Sequence, residues 1–375
     1  MWRLRSCRCL AGPAAAPGGW GGLAAWRAQG LRTDLHWEGP EGEPGAPRPG
    51  RPGRGGLPPS PAPEGASLAA LGREVLLETC VERKMELTHR AFSALHAEGV
   101  LGTEGVPGSS PTGRLPLPLG RASPVDFPGR PSRPELVPPK QVPGPGAGKS
   151  GLGAAAHMLH NLAHVELNAV DLAWDTVVRF SGSGLGPALP PQFFLDFARV
   201  ADDEARHLGW CLQRLRQLGH AYGDMPAHGV LWEGAQASAG SVRARVVVIP
   251  CVQEARGLDA GPRLSQRLRD MGDRRSAAIV GQIAEEEKAH VAVGVEWLRW
   301  LCEREGQDPA AAFRAEVAEN CPSGVLRGPF NAEGRAAAGL PPEWYDLERR
   351  LEDFAELEGA AAAGGGGGGE GAKEA

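Results

Sequence analysis

Residues 201–208 read Ala-Asp-Asp-Glu-Ala-Arg-His-Leu, and residues 284–291 read Ala-Glu-Glu-Glu-Lys-Ala-His-Val. Each stretch carries a Glu-x-x-His pair, Glu204 with His207 and Glu287 with His290. Residues three apart on an α-helix lie about 60° apart around its axis, so each Glu and His can reach one point. The neighbours set the environment. Three and four residues from Glu204 stand Val200, Ala201, His207 and Leu208; from Glu287, Ile283, Ala284, His290 and Val291. Two further glutamates share this placement. Glu166 sits among Leu162, Ala163, Ala169 and Val170, and Glu254 among Pro250, Cys251, Gly257 and Leu258.

A carboxylate in an apolar stripe is costly unless it is paired or binds a metal. Few lysines or arginines lie on these stripes to pair with the four glutamates, although buried salt bridges are the competing explanation. The order along the chain is Glu, Glu-x-x-His, Glu, Glu-x-x-His, one unit per helical pattern. Four carboxylates and two imidazoles make a ligand set for two divalent cations and nearly neutralise them. Oxygen and imidazole donors without thiolate favour iron or manganese over a structural zinc. A third Glu-x-x-His, Glu86 with His89, is flanked by Glu82, Arg83 and Arg90 and reads as a solvated face.

The four units fall on four long helical patterns, at about 152–180, 190–219, 238–258 and 262–305. Breakers separate them at Gly182 to Pro191, Gly219 to Gly234 and Gly257 to Pro262. Pro250 falls inside the third pattern, one turn before Glu254, and is expected to kink it or mark its start. Strand-like alternation is confined to Val246–Ile249, so the fold class is all-α, an antiparallel four-helix bundle. Around it, residues 1–66 form a disordered leader and 67–102 an N-terminal helix capped by Ser67. Residues 103–150 form a Pro/Gly-rich extended linker, whose stretch at 130–139 can wrap the outside of a domain. The bundle occupies 151–320. A C-terminal extension follows at 321–358, with Pro341-Pro342 starting a short helix, then a disordered Gly-rich tail at 359–375.

The stretches HVELNAVDLAWD, ADDEARH, GHAYGDMPAH, VQEARGLD, EEEKAHVAVG and LRGPFN carry a resemblance. The chain resembles the ferritin-like di-iron carboxylate superfamily. Over residues 129–330 it is similar to a ferritin-like family, common in bacteria, known as a domain of unknown function. More distantly it resembles a tRNA-modifying di-iron hydroxylase. The resemblance implies the ferritin-like bundle, two iron ions (or manganese), and Glu166, Glu204, His207, Glu254, Glu287 and His290 as ligands. It also implies that the Glu-x-x-His glutamates bridge and that the single glutamates cap one metal each.

Other residues have blander readings. His157, His160 and His164 are assigned to the surface or to outer contacts of the site, and Asp203 to orienting a ligand histidine of a neighbouring helix. Arg206 and Arg256 are assigned to structural ion pairs, and the loop of Tyr222, Asp224 and His228 to turn chemistry. Neither Tyr222 nor Tyr345 lies near a ligand in sequence, which argues against a radical-storing tyrosine.

A net charge of −5 gives no support for RNA affinity. No stretch is apolar for the length of a membrane span. The seven cysteines form no Cys-x-x-Cys pair, and Cys211, Cys251 and Cys302 read as reduced core residues, which places the chain in an intracellular, reducing compartment. Five arginines precede the first acid, Asp34, as in a mitochondrial presequence, with a cytoplasmic location as the alternative. The function expected is an O2-dependent oxidase or oxygenase acting on a small-molecule or RNA substrate, with an electron donor and possible oligomerisation left open. Iron handling without an organic substrate and a non-catalytic interaction module are the alternatives.

Overall fold

The computed structural model describes residues 20–32, 34–37, 63, 65–97, 117–144, 150–182, 184 and 188–346. Regular structure among them is helical: α1 (Leu23–Arg27), α2 (Leu68–Leu77), α3 (Val81–Ala97), α4 (Ala154–Phe180), α5 (Pro191–Gln217), α6 (Val230–Ala237) and α7 (Val242–Val246). A π-helical segment (Val247–Glu254) then leads into α8 (Ala255–Asp270), α9 (Arg274–Glu305), α10 (Pro309–Asn320), α11 (Ala332–Ala337) and α12 (Pro342–Tyr345). The fold is all-α. Helix α4 packs on α5, the π segment and α8 pack on α9, and α5 meets α9. Helices α2 and α3 lie outside, against α4 and α5 respectively.

Local chemistry explains the boundaries. Ser67 accepts from Ala70 N at the start of α2, and Asp273 accepts from Ser276 N at the start of α9. Helix α5 opens on Pro191, and α9 ends at Gly306 with φ 64°. The single helix expected within 67–102 is two. Glu78 turns extended, its carboxylate accepts from Thr79 N and Cys80 N, and Gly129 N donates to the freed Leu76 carbonyl at 2.6 Å.

The third and fourth spans also divide elsewhere. The break expected at Gly257–Pro262 is absent, and α8 continues through it to Asp270. Pro262 has no N–H to give the Leu258 carbonyl, and Asn331 Nδ2 supplies that hydrogen bond instead at 3.0 Å. The chain turns at Gly272, whose φ is 82°. Pro250 sits within the π-helical turns, where an irregular hydrogen-bond ladder tolerates it.

Residues 20–32 and 34–37, expected within a disordered leader, instead pack on the helices. Trp26 is buried, and the Arg27 guanidinium bonds Asp196 through two nitrogens. The remainder of the leader, with Arg3, Arg5 and Arg8 of the expected presequence, and the Gly-rich tail lie outside the described residues. The 130–139 stretch lies along the outside of α4 and the loop after α5: Arg130 bonds Asn168 at 2.7 Å, Val137 N donates to Ala227 O at 2.8 Å and Ala227 N to Glu135 O at 3.0 Å. Pro342 opens α12 as expected.

Two apolar layers enclose the middle of the molecule, one around Trp174, Phe193 and Trp297, the other around Leu159, Trp210 and Ile283. Cys211, Cys251 and Cys302 are buried free thiols within them. No described helix is long and apolar enough to cross a membrane.

Candidate metal centre

Between those layers the Glu-x-x-His pairs of α5 and α9 face each other. Glu204, His207 and His290 are fully buried, and Glu287 and Glu166 nearly so. Donor atoms of Glu166, Glu204, His207 and Glu287 all lie within 4.8 Å of one another, so this buried cluster could hold a metal ion. His207 Nδ1 is 3.4 Å from Glu204, 3.5 Å from Glu287 and 3.6 Å from Glu166. On the other side of Glu204, His290 Nδ1 is 2.8 Å from Glu204 and 3.1 Å from Glu287. Two donors each about 2.1 Å from one cation, at right or tetrahedral angles, stand about 3.0–3.4 Å apart. The spacings, from 2.8 to 3.6 Å, bracket that range on the two sides of Glu204.

Neither carboxylate oxygen of Glu204 meets a donor with hydrogen-bonding geometry, and neither does His207 Nδ1, although all three are buried. Such orphaned polar atoms cost roughly 1–3 kcal/mol each, and a shared cation would satisfy them together. Glu254 stands apart from the tight cluster. It is half-buried on the π segment and shares a cavity wall with Glu166 and Glu287.

The electrostatics favour positive charge here. Burial by itself would raise Glu204, but the adjacent His290 and His207 imidazoles hold it well below the usual carboxylate range. Burial would depress both histidines, and the surrounding carboxylates reverse this and raise them well above their ordinary value. Burial and the nearby Glu204 charge push Glu166 well up, and burial with Glu204 and Glu287 does the same to Glu254. The cluster therefore takes up either protons or a metal.

An outer ring of carboxylates turns both imidazoles. Asp203, one residue before Glu204, lies 3.5 Å from His290 Nε2 on α9, the cross-helix contact expected of it. Glu286, one residue before Glu287, lies 3.1 Å from His207 Nε2 on α5. With Nε2–H donated outward, each Nδ1 lone pair points into the cluster. Arg206 links the two acids, bonding Asp203 and, at 2.8 Å, Glu286. Glu286 went unassigned in the sequence, yet its place before a Glu-x-x-His pair repeats that of Asp203 and was the available signal.

Several expected assignments change. Arg256 makes no ion pair among the described residues and donates instead to Val325 O at 3.2 Å. His157, His160 and His164 are buried, not superficial. His160 Nε2 accepts from Gly223 N at 2.9 Å, and His164 bonds the Tyr222 hydroxyl at 2.8 Å and the His228 carbonyl, so the 220–228 loop is tied to α4. Glu86 is exposed as expected, but His89 is buried against Asp202 at 3.0 Å.

The model of a family described as "Protein of unknown function (DUF455)" matches residues 77–346. The chain belongs to this family. An uncharacterized protein of Haemophilus influenzae is 35% identical over 232 residues, covering 60% of this chain and 78% of that protein. A 3-demethoxyubiquinol 3-hydroxylase of Stutzerimonas stutzeri is 35% identical over 122 residues, covering 31% of this chain and 54% of that enzyme. The chain thus spans about half the length of the hydroxylase it resembles. No solved structure matches significantly. All six expected ligands, Glu166 through His290, lie inside the span shared with the family.

Proposed function

We propose that this DUF455 member is a ferritin-like di-iron protein acting as an O2-dependent oxidase or oxygenase of a small organic substrate. In this reading α4, α5, the α7–α8 span and α9 form the ferritin-like four-helix bundle. Glu166, Glu204, His207 and Glu287 hold one ion, and Glu204, Glu287, His290 and Glu254 the other. The observation that carries the reading is the fully buried Glu204 carboxylate, flanked by two imidazole nitrogens at 2.8 and 3.4 Å, neither in hydrogen-bonding geometry. The partial likeness to a hydroxylase supports oxidation of an organic molecule over iron storage.

Iron bound there would supply redox chemistry with dioxygen. The chain's own residues do the rest. Asp203 and Glu286 fix the imidazole orientations, and Arg206 balances their charge. Leu162, Val280 and Ile283 line an apolar cavity of about 280 Å³, partly open to solvent, that reaches Glu166, Glu254 and Glu287 and offers an organic substrate an apolar surface beside their carboxylates. Glu254, on the π turns, stands outside the tight cluster, and its raised affinity for a proton lets it hold one beside a reacting group.

Metal analysis of the purified protein tests this. About two iron per chain are expected, with Glu204→Ala losing both and Glu254→Gln retaining one. Full metal content in Glu204→Ala would refute the ligand set. Mineral formation on adding excess Fe2+ and O2 would replace the oxygenase reading with iron handling.

A further inference from the structure

Two sequence motifs left over from the metal centre meet on one side of the molecule. In VQEARGLD, Glu254 belongs to the candidate centre, while Arg256 and Asp259 line a second cleft. In LRGPFN, residues 326–331 form a loop that docks on α8: Asn331 N donates to Asp259 Oδ1 at 2.8 Å and Asn331 Nδ2 to Leu258 O. Arg335 then bonds the same Asp259 through two nitrogens, which uses up that carboxylate.

Between the loop and α8 lies a cleft of about 190 Å³ with Arg256, Arg263 and Arg327 on its walls. None of the three forms an ion pair among the described residues. Arg256 and Arg263 are held by carbonyls of the loop, Val325 O and Pro329 O, each at 3.2 Å. The only acid on the cleft wall, Asp259, is already committed to Arg335. Three unneutralised guanidiniums in a concave site are a receptor for an anion.

This cleft adjoins the apolar cavity beside the candidate metal centre, and Arg256 and Ala260 line both. From that shared wall the cavity runs past Gly257 to Glu287. A Cβ on Gly257 would be 3.7 Å from the Glu287 side chain, so the missing side chain leaves the passage open beside a proposed ligand. At roughly 30 Å³ per small group, the apolar part holds about nine methylene-sized groups.

We propose that the substrate is an amphipathic acid: an anionic head bound by Arg256, Arg263 and Arg327, and an apolar chain or ring directed past Gly257 to the carboxylates. The proposal rests on the di-metal reading for the reaction but not for the binding. The head is a carboxylate or a phosphate, which share the chemistry that guanidinium recognises.

Calorimetric titration of the full chain with decanoate, decyl phosphate and methyl decanoate tests it, with metal content measured in parallel. One site per chain is expected for both acids, the tighter of them assigning the head group, with the neutral ester at least about tenfold weaker. Arg256→Ala and Arg263→Ala should each weaken both acids about tenfold. Gly257→Leu should block decanoate by filling the passage while circular dichroism stays unchanged; if it does not fold, Ala260→Trp at the exposed shared wall takes its place. Equal binding of ester and acid, or acid binding unaffected by the arginine substitutions, would overturn the proposal. Metal-free protein that still binds decanoate through Arg256 would sink the di-metal reading and leave this one standing. Two irons per chain with no decanoate binding would do the reverse.

Discussion

The indole Nε1–H of Trp26 donates to Asp203 Oδ2 at 2.8 Å, across 177 residues of chain. Asp203 is the carboxylate facing His290, so the N-terminal segment reaches the candidate metal centre through one intermediary. Arg32 does the same on the other side, bonding Glu286 at 2.7 Å, and Glu286 faces His207. Trp26→Phe keeps a buried aromatic ring, though a smaller one, and deletes the donor. Loss of such an outer partner lowers metal affinity by roughly 10–100-fold. Iron competition against a chelator should show a fall in that range with little change in helicity; unaltered affinity would mean that Asp203 is positioned without the indole.

How much of this was legible in the sequence depends on where each signal is local. The four glutamates stand out because a carboxylate in an apolar helical stripe is anomalous by itself, and the Glu-x-x-His spacing adds His207 and His290; the structure brings five of these six residues into one buried cluster with Glu254 on the adjoining wall. The helix ends were misplaced where distant groups decide. Pro262 reads as a breaker until Asn331, 73 residues away from Leu258, is seen to satisfy the orphaned carbonyl. Trp26 and Arg32 lie in a Gly-rich, acid-free stretch, and nothing local announces that their partners are acids on α5 and α9. His160 and His164 look polar and superficial because the Tyr222 loop that covers them is contributed from beyond α5.

The π segment is locked by a glycine on α9. A Cβ at Gly294 would come within 2.5 Å of Pro250 Cγ and 2.8 Å of Cys251 Sγ. The proline ring cannot swing away, so Gly294→Ala must displace the turns that carry Glu254. Overpacking of this kind costs about 1–3 kcal/mol. Thermal unfolding should show a melting temperature lowered by several degrees, and an unchanged value would show that the segment yields without cost.

Arg245 on α7 is fully buried and binds Asp175 of α4 at 2.6 Å, with Ser238 Oγ and the Ala235 carbonyl taking its other nitrogens. Arg245→Met removes a buried cation and strands these acceptors, leaving Asp175 to Arg179 alone. The expected loss is about 3–5 kcal/mol in denaturant titration. Adding Asp175→Leu should recover part of it, because the buried carboxylate that has lost one of its two cation partners is then gone. A double variant no more stable than the single would contradict a charge-based cost.

His160 supplies a pH dependence away from the metal cluster. Burial, opposed by Asp224 and reinforced by His157, pushes its pKa from 6.5 down to about 4. The folded protein keeps this imidazole neutral, and its Nε2 lone pair accepts from Gly223 N. Between pH 6.5 and about 4 the unfolded chain therefore binds the proton and the folded chain does not. The stability His160 contributes is present above pH 6.5 and is lost as the pH falls toward 4. The gap in unfolding free energy between the wild type and His160→Asn should be widest above pH 6.5 and narrow steadily on acidification. A gap that stays constant over that range would show that protonation of His160 is not coupled to folding, and that the 220–228 loop holds to α4 without its acceptor.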